Sequence, residues 1–156
     1  MELYLYDFSQ FDLADVDEHG YFGYSYLDNY WTEPDRHPYF IKVENQLAGF
    51  VLVNNHTTVL APGTGMSIAE FFVMRKYRGK GVGQTAALEI FEKFPGRWEV
   101  RQHGANEPSK LFWEKVIGTY THSHFEKQTI SVEDWEEQVI TFDNSKLSVW
   151  RSTNST

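Results

Sequence analysis

Glycine recurs at alternate positions in Arg78-Gly79-Lys80-Gly81-Val82-Gly83, a segment that joins an apolar stretch directly to a run of helical period. Upstream, Ser67 to Arg75 is rich in Ile, Phe and Val and reads as a buried strand. Downstream, Ala87, Leu88, Phe91 and Phe94 recur at helical spacing, and Pro95-Gly96 stops the helix. Backbone without Cβ atoms accepts a left-handed turn or the close approach of a ligand, and its N–H groups can converge on an anion. The following helix adds unpaired N–H groups and the positive end of its dipole. A phosphate-bearing ligand suits such a place. Arg78 and Lys80 supply charge there, and Gln84 and Thr85 supply donors. The P-loop order is not met, because Lys80 lies between glycines, and a dinucleotide fingerprint fails at Gln84. Without a ligand the same segment would be a tight strand-to-helix connection.

The rest of the chain sets the frame. A length of 156 residues implies one domain over residues 1–156 with a core that needs no staples. The longest apolar run, Leu47 to Val53, falls far short of the roughly 20 residues of a membrane helix. Met1-Glu2-Leu3-Tyr4 offers no secretory signal, so a cytoplasmic location is the default expectation. There is no Cys, which excludes disulfides, thiolate zinc sites and a cysteine nucleophile. A net charge of −8 disfavours nucleic acid as a partner. Charge is unevenly placed: Arg75, Lys76, Arg78 and Lys80 cluster without an acid, whereas Asp7, Asp12, Asp15, Asp17 and Glu18 cluster without a base.

Glu2 to Tyr6 alternates and reads as a short strand; Asp7 to Asn29 reads as a helix plus irregular chain; Pro34 to Pro38 reads as a loop. Tyr39 to Glu44 and Leu47 to Asn54 form a hairpin about Asn45-Gln46, followed by a loop over Ala61 to Gly65. Arg97 to His103 is a strand with Trp98, Val100 and Gln102 opposite Arg97, Glu99, Arg101 and His103. Asn106 caps a second helix, Leu111, Phe112, Val116 and Ile117 line its buried side, and Gly118 ends it. Strands over Thr119 to Glu126 and Glu137 to Phe142 complete an α/β or α+β sheet with helices packed on it.

The segment Glu70 to Phe94, EFFVMRKYRGKGVGQTAALEIFEKF, resembles the acetyl-coenzyme A site of the GCN5-related N-acetyltransferases, the GNAT family. Arg78, Gly81 and Gly83 match the fixed positions of that family's motif, and Asn106 to Gly118 resembles its later helix. The resemblance is close over Ile68 to Gly118. It implies a GNAT-like acyltransferase fold, a mixed central sheet whose fourth and fifth strands splay apart to admit the pantetheine arm. Val73 and Arg75 would then offer backbone hydrogen bonds to that arm. Arg78, Gly79, Lys80, Gly81, Val82, Gly83 and Gln84 would hold the diphosphate. Asn106 would meet the pantetheine or the thioester end, as both a binding and a catalytic residue.

The implied reaction is transfer of an acetyl group from acetyl-CoA, as cosubstrate and without a metal, to an amine of a small molecule or peptide. Such an amine has a pKa near 10, so a general base is needed. Glu70 is the candidate, with His103 as runner-up; the competing role for Glu70 is a strand carboxylate facing solvent or pairing with Arg101. Backbone N–H near Val73 or Met74 would stabilise the oxyanion. Trp113 stands where the family usually has the tyrosine that protonates the leaving thiolate. Three readings follow: coenzyme A leaves unaided, Tyr120 or a water substitutes, or the protein is an acyl-CoA sensor without efficient turnover. Tyr21 to Trp31 could form an aromatic pocket with Asp28 and Glu33 for a cationic amine. His122 and His124 alternate on an expected strand but lack a third metal ligand. Oligomeric state is open, a homodimer included.

Overall fold

The computed structural model describes residues 1–145 and 147; the remainder of the expected 1–156 unit lies outside the described residues. The chain opens with α1 (Glu2–Asp12) and the one-turn helix α2 (Asn29–Thr32). Strands β1 (Arg36–Val43), β2 (Gln46–Asn54) and β3 (Met66–Val73) follow, then a 3-10 turn at Arg75–Tyr77 and α3 (Val82–Lys93). Strand β4 (Arg97–His103), α4 (Glu107–Tyr120), β5 (Glu126–Val132) and β6 (Trp135–Asp143) complete it.

All strands join one sheet of order β1-β2-β3-β4-β6-β5. Among the described residues only β3 and β4 run parallel, as expected for strands linked through a helix. Their pairing covers Met66↔Trp98, Ser67↔Glu99 and Ile68↔Val100 and then ends. The break coincides with a register shift against β2, where Leu52 faces Glu70 but Val53 faces Ile68, leaving Ala69 unpaired. A bulge bends and twists its strand. Beyond it β3 stays on β2, β4 stays on β6, and a gap opens between them. The splayed pair is thus present, one strand earlier in the count than expected.

The count shifts because Glu2 to Tyr6 is helix, not strand. Its alternation is short, while Tyr4, Phe8 and Phe11 keep the i, i+4, i+7 spacing of a helical face. That face packs on the sheet: Tyr4 lies 5.7 Å from Phe50 and 5.9 Å from Phe72, ring to ring. Helices α3 and α4 cover the opposite face, where Phe91, Trp98, Trp113, Ile117 and Ile140 form the centre of the core.

Three further expectations are corrected. The loop assigned to Pro34 to Pro38 is already strand from Arg36; Pro38 sits in β1, an edge strand, where a missing N–H is tolerated. Helix α4 runs through Gly118 to Tyr120, and Leu111 is exposed while Trp113 is buried. The strand expected over Thr119 to Glu126 starts only at Glu126, so His122 and His124 lie in the intervening turn. Glu99, which alternates with Trp98 and Val100 along β4, is fully buried as well. Its carboxylate accepts the amides of Thr58, Val59 and Leu60 at 2.8, 2.8 and 3.0 Å, which fixes the turn leading into the Ala61 to Gly65 loop.

Candidate active site

The glycine segment sits at the mouth of the gap between β3 and β4. Gly79 and Gly81 have φ of 70° and 78°, the left-handed region that favours glycine, with open space around them. Gly83 differs: a Cβ there would stand 3.3 Å from the Phe112 ring, so its absence lets α3 and α4 approach. Gly81 is the N-cap of α3 and provides no side-chain acceptor. The first amide at this junction to find a partner is Thr85, which donates to the Gly81 carbonyl at 3.0 Å. The amides of residues 79–84 have no hydrogen-bond partner among the described residues. Together with the dipole of α3 they make a donor-rich, positively polarised concavity that could hold a diphosphate.

Arg78 is more constrained than its exposure suggests. Its Nε donates to the Val73 carbonyl at 2.6 Å, and its Nη2 donates to Asp7 Oδ2 at 2.5 Å. Arg75 Nη2 donates to the other oxygen of Asp7 at 2.6 Å. Burial of Asp7 opposes its ionisation, but the hydrogen bonds from Arg78 and Arg75 outweigh it and hold the carboxyl below the usual range. From sequence Asp7 was read only as one of an acidic cluster, although it shares a helical face with Tyr4 and Phe11, which marks an acid on a stripe that packs. Arg75 itself lies past the strand, in the 3-10 turn, and its carbonyl accepts the Arg78 amide at 3.2 Å. The carbonyls of Val73 and Arg75 each keep one lone pair for a further partner. Lys80 is exposed and Gln84 half-buried beside the turn.

Glu70 neither faces open solvent nor pairs with Arg101. Tyr4, from α1, hydrogen-bonds its Oε2, and Tyr24 donates to its Oε1 at 2.9 Å. Arg101 instead reaches Glu137 at 3.4 Å. Burial pushes the Glu70 carboxyl above its ordinary value, opposed by the two tyrosine hydrogen bonds and the charge of Arg101. Tyr24 is itself pushed up, by burial and then by the charge of Glu70, so it stays a donor. Each Glu70 oxygen retains a lone pair, which leaves the carboxylate able to accept a proton. From sequence Tyr24 was read only as part of the aromatic pocket of Tyr21 to Trp31, and Tyr4 was given no role; the contacts join residues too far apart in the chain for any local pattern to reveal.

The runner-up base fares worse. His103 Nδ1 accepts the Ala105 amide at 3.2 Å, which puts the imidazole proton on Nε2 and leaves no free lone pair in the ring plane. Its ring is boxed by Phe8, Phe11 and Trp135 at 5.8 to 5.9 Å. Asn106 caps α4, its Oδ1 accepting the Ser109 amide at 3.1 Å, at the end of the helix that follows the splayed part of β4. The Met74 amide already donates to Ala48 at 2.8 Å, which removes it as an oxyanion donor.

Trp113 is a core residue, 3% exposed and 4.9 Å from Phe71. Tyr120 lies at the far end of α4, bonded to Glu92 at 3.1 Å and to Asn144 at 3.3 Å. A helix of this length separates it from Asn106 by roughly 20 Å, so it does not substitute for the missing acid. The aromatic cluster of Tyr21 to Trp31 also departs from expectation. Glu33 pairs with Arg36 at 2.5 Å, and that guanidinium lies 6.0 and 5.3 Å from the Tyr26 and Tyr30 rings. The cation held there belongs to the chain itself.

Comparisons with known proteins give a fold and a family. No curated protein matches the chain significantly. Solved structures that share the fold include the ribosomal-protein-S18-alanine N-acetyltransferase of Escherichia coli, with TM-score 0.53 and 10% identity over 72% of this chain and 71% of that one. A Bacillus subtilis acetyltransferase in complex with CoA gives TM-score 0.54 and 14% identity over 76% and 79% of the two chains. Aminoglycoside 6′-acetyltransferase type Ii gives TM-score 0.54 and 12% identity over 71% and 70%. The family model described as the acetyltransferase (GNAT) family matches residues 3–119. The chain therefore belongs to the GNAT family of acetyltransferases.

Proposed function

We propose that this protein transfers an acetyl group from acetyl-CoA to an amine of a small molecule or a peptide. The observation that carries the reading is the divergence of β3 from β4 after Ile68↔Val100, with the unpartnered amides of residues 79–84 at its mouth. Residues 79–84 would hold the diphosphate, with Arg78 and Lys80 adding charge. Val73 and Arg75 would offer backbone groups to the pantetheine arm. Asn106 would approach its thioester end. When bound, the thioester supplies an activated acyl group and a thiol whose reference pKa near 8.5 lets it depart without a strong acid. That property fits a site in which Trp113 is buried and Tyr120 is remote.

Glu70 takes the proton of the acceptor amine, directly or through one water. Its raised pKa brings it nearer the working range of a base, and its two tyrosine donors hold it in one orientation. Two of the structures that share the fold are described as acting on an alanine of ribosomal protein S18 and on an aminoglycoside, which supports an amine acceptor without choosing one.

A second reading, an acyl-CoA sensor without efficient turnover, draws on the lack of a tyrosine acid. Thiol release from acetyl-CoA with an amine panel separates the two. Turnover is expected, and Glu70→Gln should lower kcat/KM by roughly 100-fold or more while leaving coenzyme affinity unchanged. Binding of acetyl-CoA with no thiol release on any amine would favour the sensor.

A further inference from the structure

A groove of about 470 Å³ runs along the side of α3, between that helix and the edge strand β1. Its floor is apolar, with Ile41, Val43, Val82, Ala86 and Ile90. Its rim carries Lys42, Lys80 and Lys93 against a single acid, Glu89. None of the three lysines pairs with a carboxylate among the described residues, although the chain carries 22 acids. Sheet extension along β1 is disfavoured: Pro38 removes a donor, and the register shifts between Ile41 and Lys42. The groove therefore suits side chains, apolar in the centre and acidic at the edges.

The same chain exposes a segment of that kind. After α1, Leu13 is 80% exposed and Val16 48% exposed, and they alternate with Asp12, Asp15, Asp17 and Glu18. No lysine or arginine among the described residues pairs with these acids; Asp12 and Asp17 accept only local backbone amides, and Glu18 meets only His19. Within one molecule the segment leaves α1 on the sheet face opposite α3, and no hydrogen bond or ion pair joins it to the groove lining among the described residues. The other unassigned stretch, residues 148–156, contains Arg151 and no acid, so it offers no charge match.

We infer that the β1–α3 groove is a self-association surface that receives the Asp12 to Glu18 segment of a second copy of this chain. Leu13 and Val16 would enter the apolar floor, and the acids would meet the lysine rim. Because the two surfaces lie on opposite faces of the sheet, repeated use of the contact joins copies head to tail, in a ring or an open chain that fills both. The groove shares Lys80 and Val82 with the segment proposed to hold the diphosphate, so the test leaves both unchanged and reads association, not coenzyme binding or turnover.

Sedimentation equilibrium of the full chain tests it with charge reversals that avoid the site: Lys42→Glu with Lys93→Glu, and separately Asp15→Lys with Glu18→Lys. Wild type should self-associate, less so at high salt. Each double variant places like charges together and should weaken association by about tenfold or more. An equimolar mixture pairs an acidic segment with a basic groove and a basic segment with an acidic groove, so association should recover. Recovery on mixing cannot come from a folding defect; if a double variant melts early, the single reversals at Lys93 and Asp15 carry the same test. A wild-type monomer at all concentrations, or a mixture as weak as its components, overturns the inference. A monomer whose groove binds anilinonaphthalene sulfonate does so too and assigns the groove to a small anion.

Discussion

Glu70 shows how a sequence can point to a candidate without showing its surroundings. Its position ahead of the glycine segment marked it, but the tyrosines that hold it come from α1 and from the irregular chain before α2. Those hydroxyls favour the carboxylate form, against the burial that opposes it. Replacing Tyr24 with Phe removes one donor to the anion, so the Glu70 pKa should rise further. In the proposed role of base Glu70 works only when ionised, so the acidic limb of kcat/KM against pH should move to higher pH, with the rate regained above it. A limb that stays put or moves down would separate Tyr24 from the base. Glu99 makes the complementary point about stability. Its carboxylate serves three backbone amides in the interior, and Glu99→Gln supplies one acceptor oxygen where two were used. The expected cost is about 2–3 kcal/mol, a melting temperature lower by roughly 5–10 °C. A thermal melt within a degree of wild type would show that those amides find other partners.

At the scale of elements, the run from β3 through α4 was legible because each change of period is clean: an apolar strand, a helix stopped by Pro95-Gly96, an alternating strand, a helix capped by Asn106. Elsewhere the signal was short or misleading. The alternation in Glu2 to Tyr6 imitates a strand until Phe8 and Phe11 are counted with Tyr4. Gly118 has the residue type of a helix end but lies inside α4, where a Cβ would meet only Phe125 at ordinary contact distance. Gly49 is the opposite case, a glycine inside a strand pattern that marks close backbone approach. A Cβ there would fall 1.9 Å from the Phe72 carbonyl oxygen, so β2 and β3 can pair at this level only without it. Gly49→Ala should destabilise by roughly 1–3 kcal/mol and disturb β3 next to Val73, so a melt should fall and coenzyme binding weaken together. An unchanged melt would mean that the strands part there at no cost.

On the scale of the whole molecule, an acidic chain carries a local turn of unpartnered main-chain amides, at residues 79–84, that could receive an anion. Arginines near the glycine turn are largely spent on Asp7, so the ligand would meet main-chain amides before it meets free charge. What sequence could not supply is the gap itself: it depends on the unpaired Ala69, a register that no local pattern encodes. Calorimetric titration with coenzyme A tests the centre of this account, comparing wild type with Gly81→Asp. Asp tolerates the left-handed backbone at that position better than most residues, at a cost of about 1–2 kcal/mol, while setting a carboxylate among the amides. Saturable binding to wild type, weakened at least tenfold or so in the variant, is the expected result. No binding to wild type, or equal affinity in a folded Gly81→Asp variant, would contradict it.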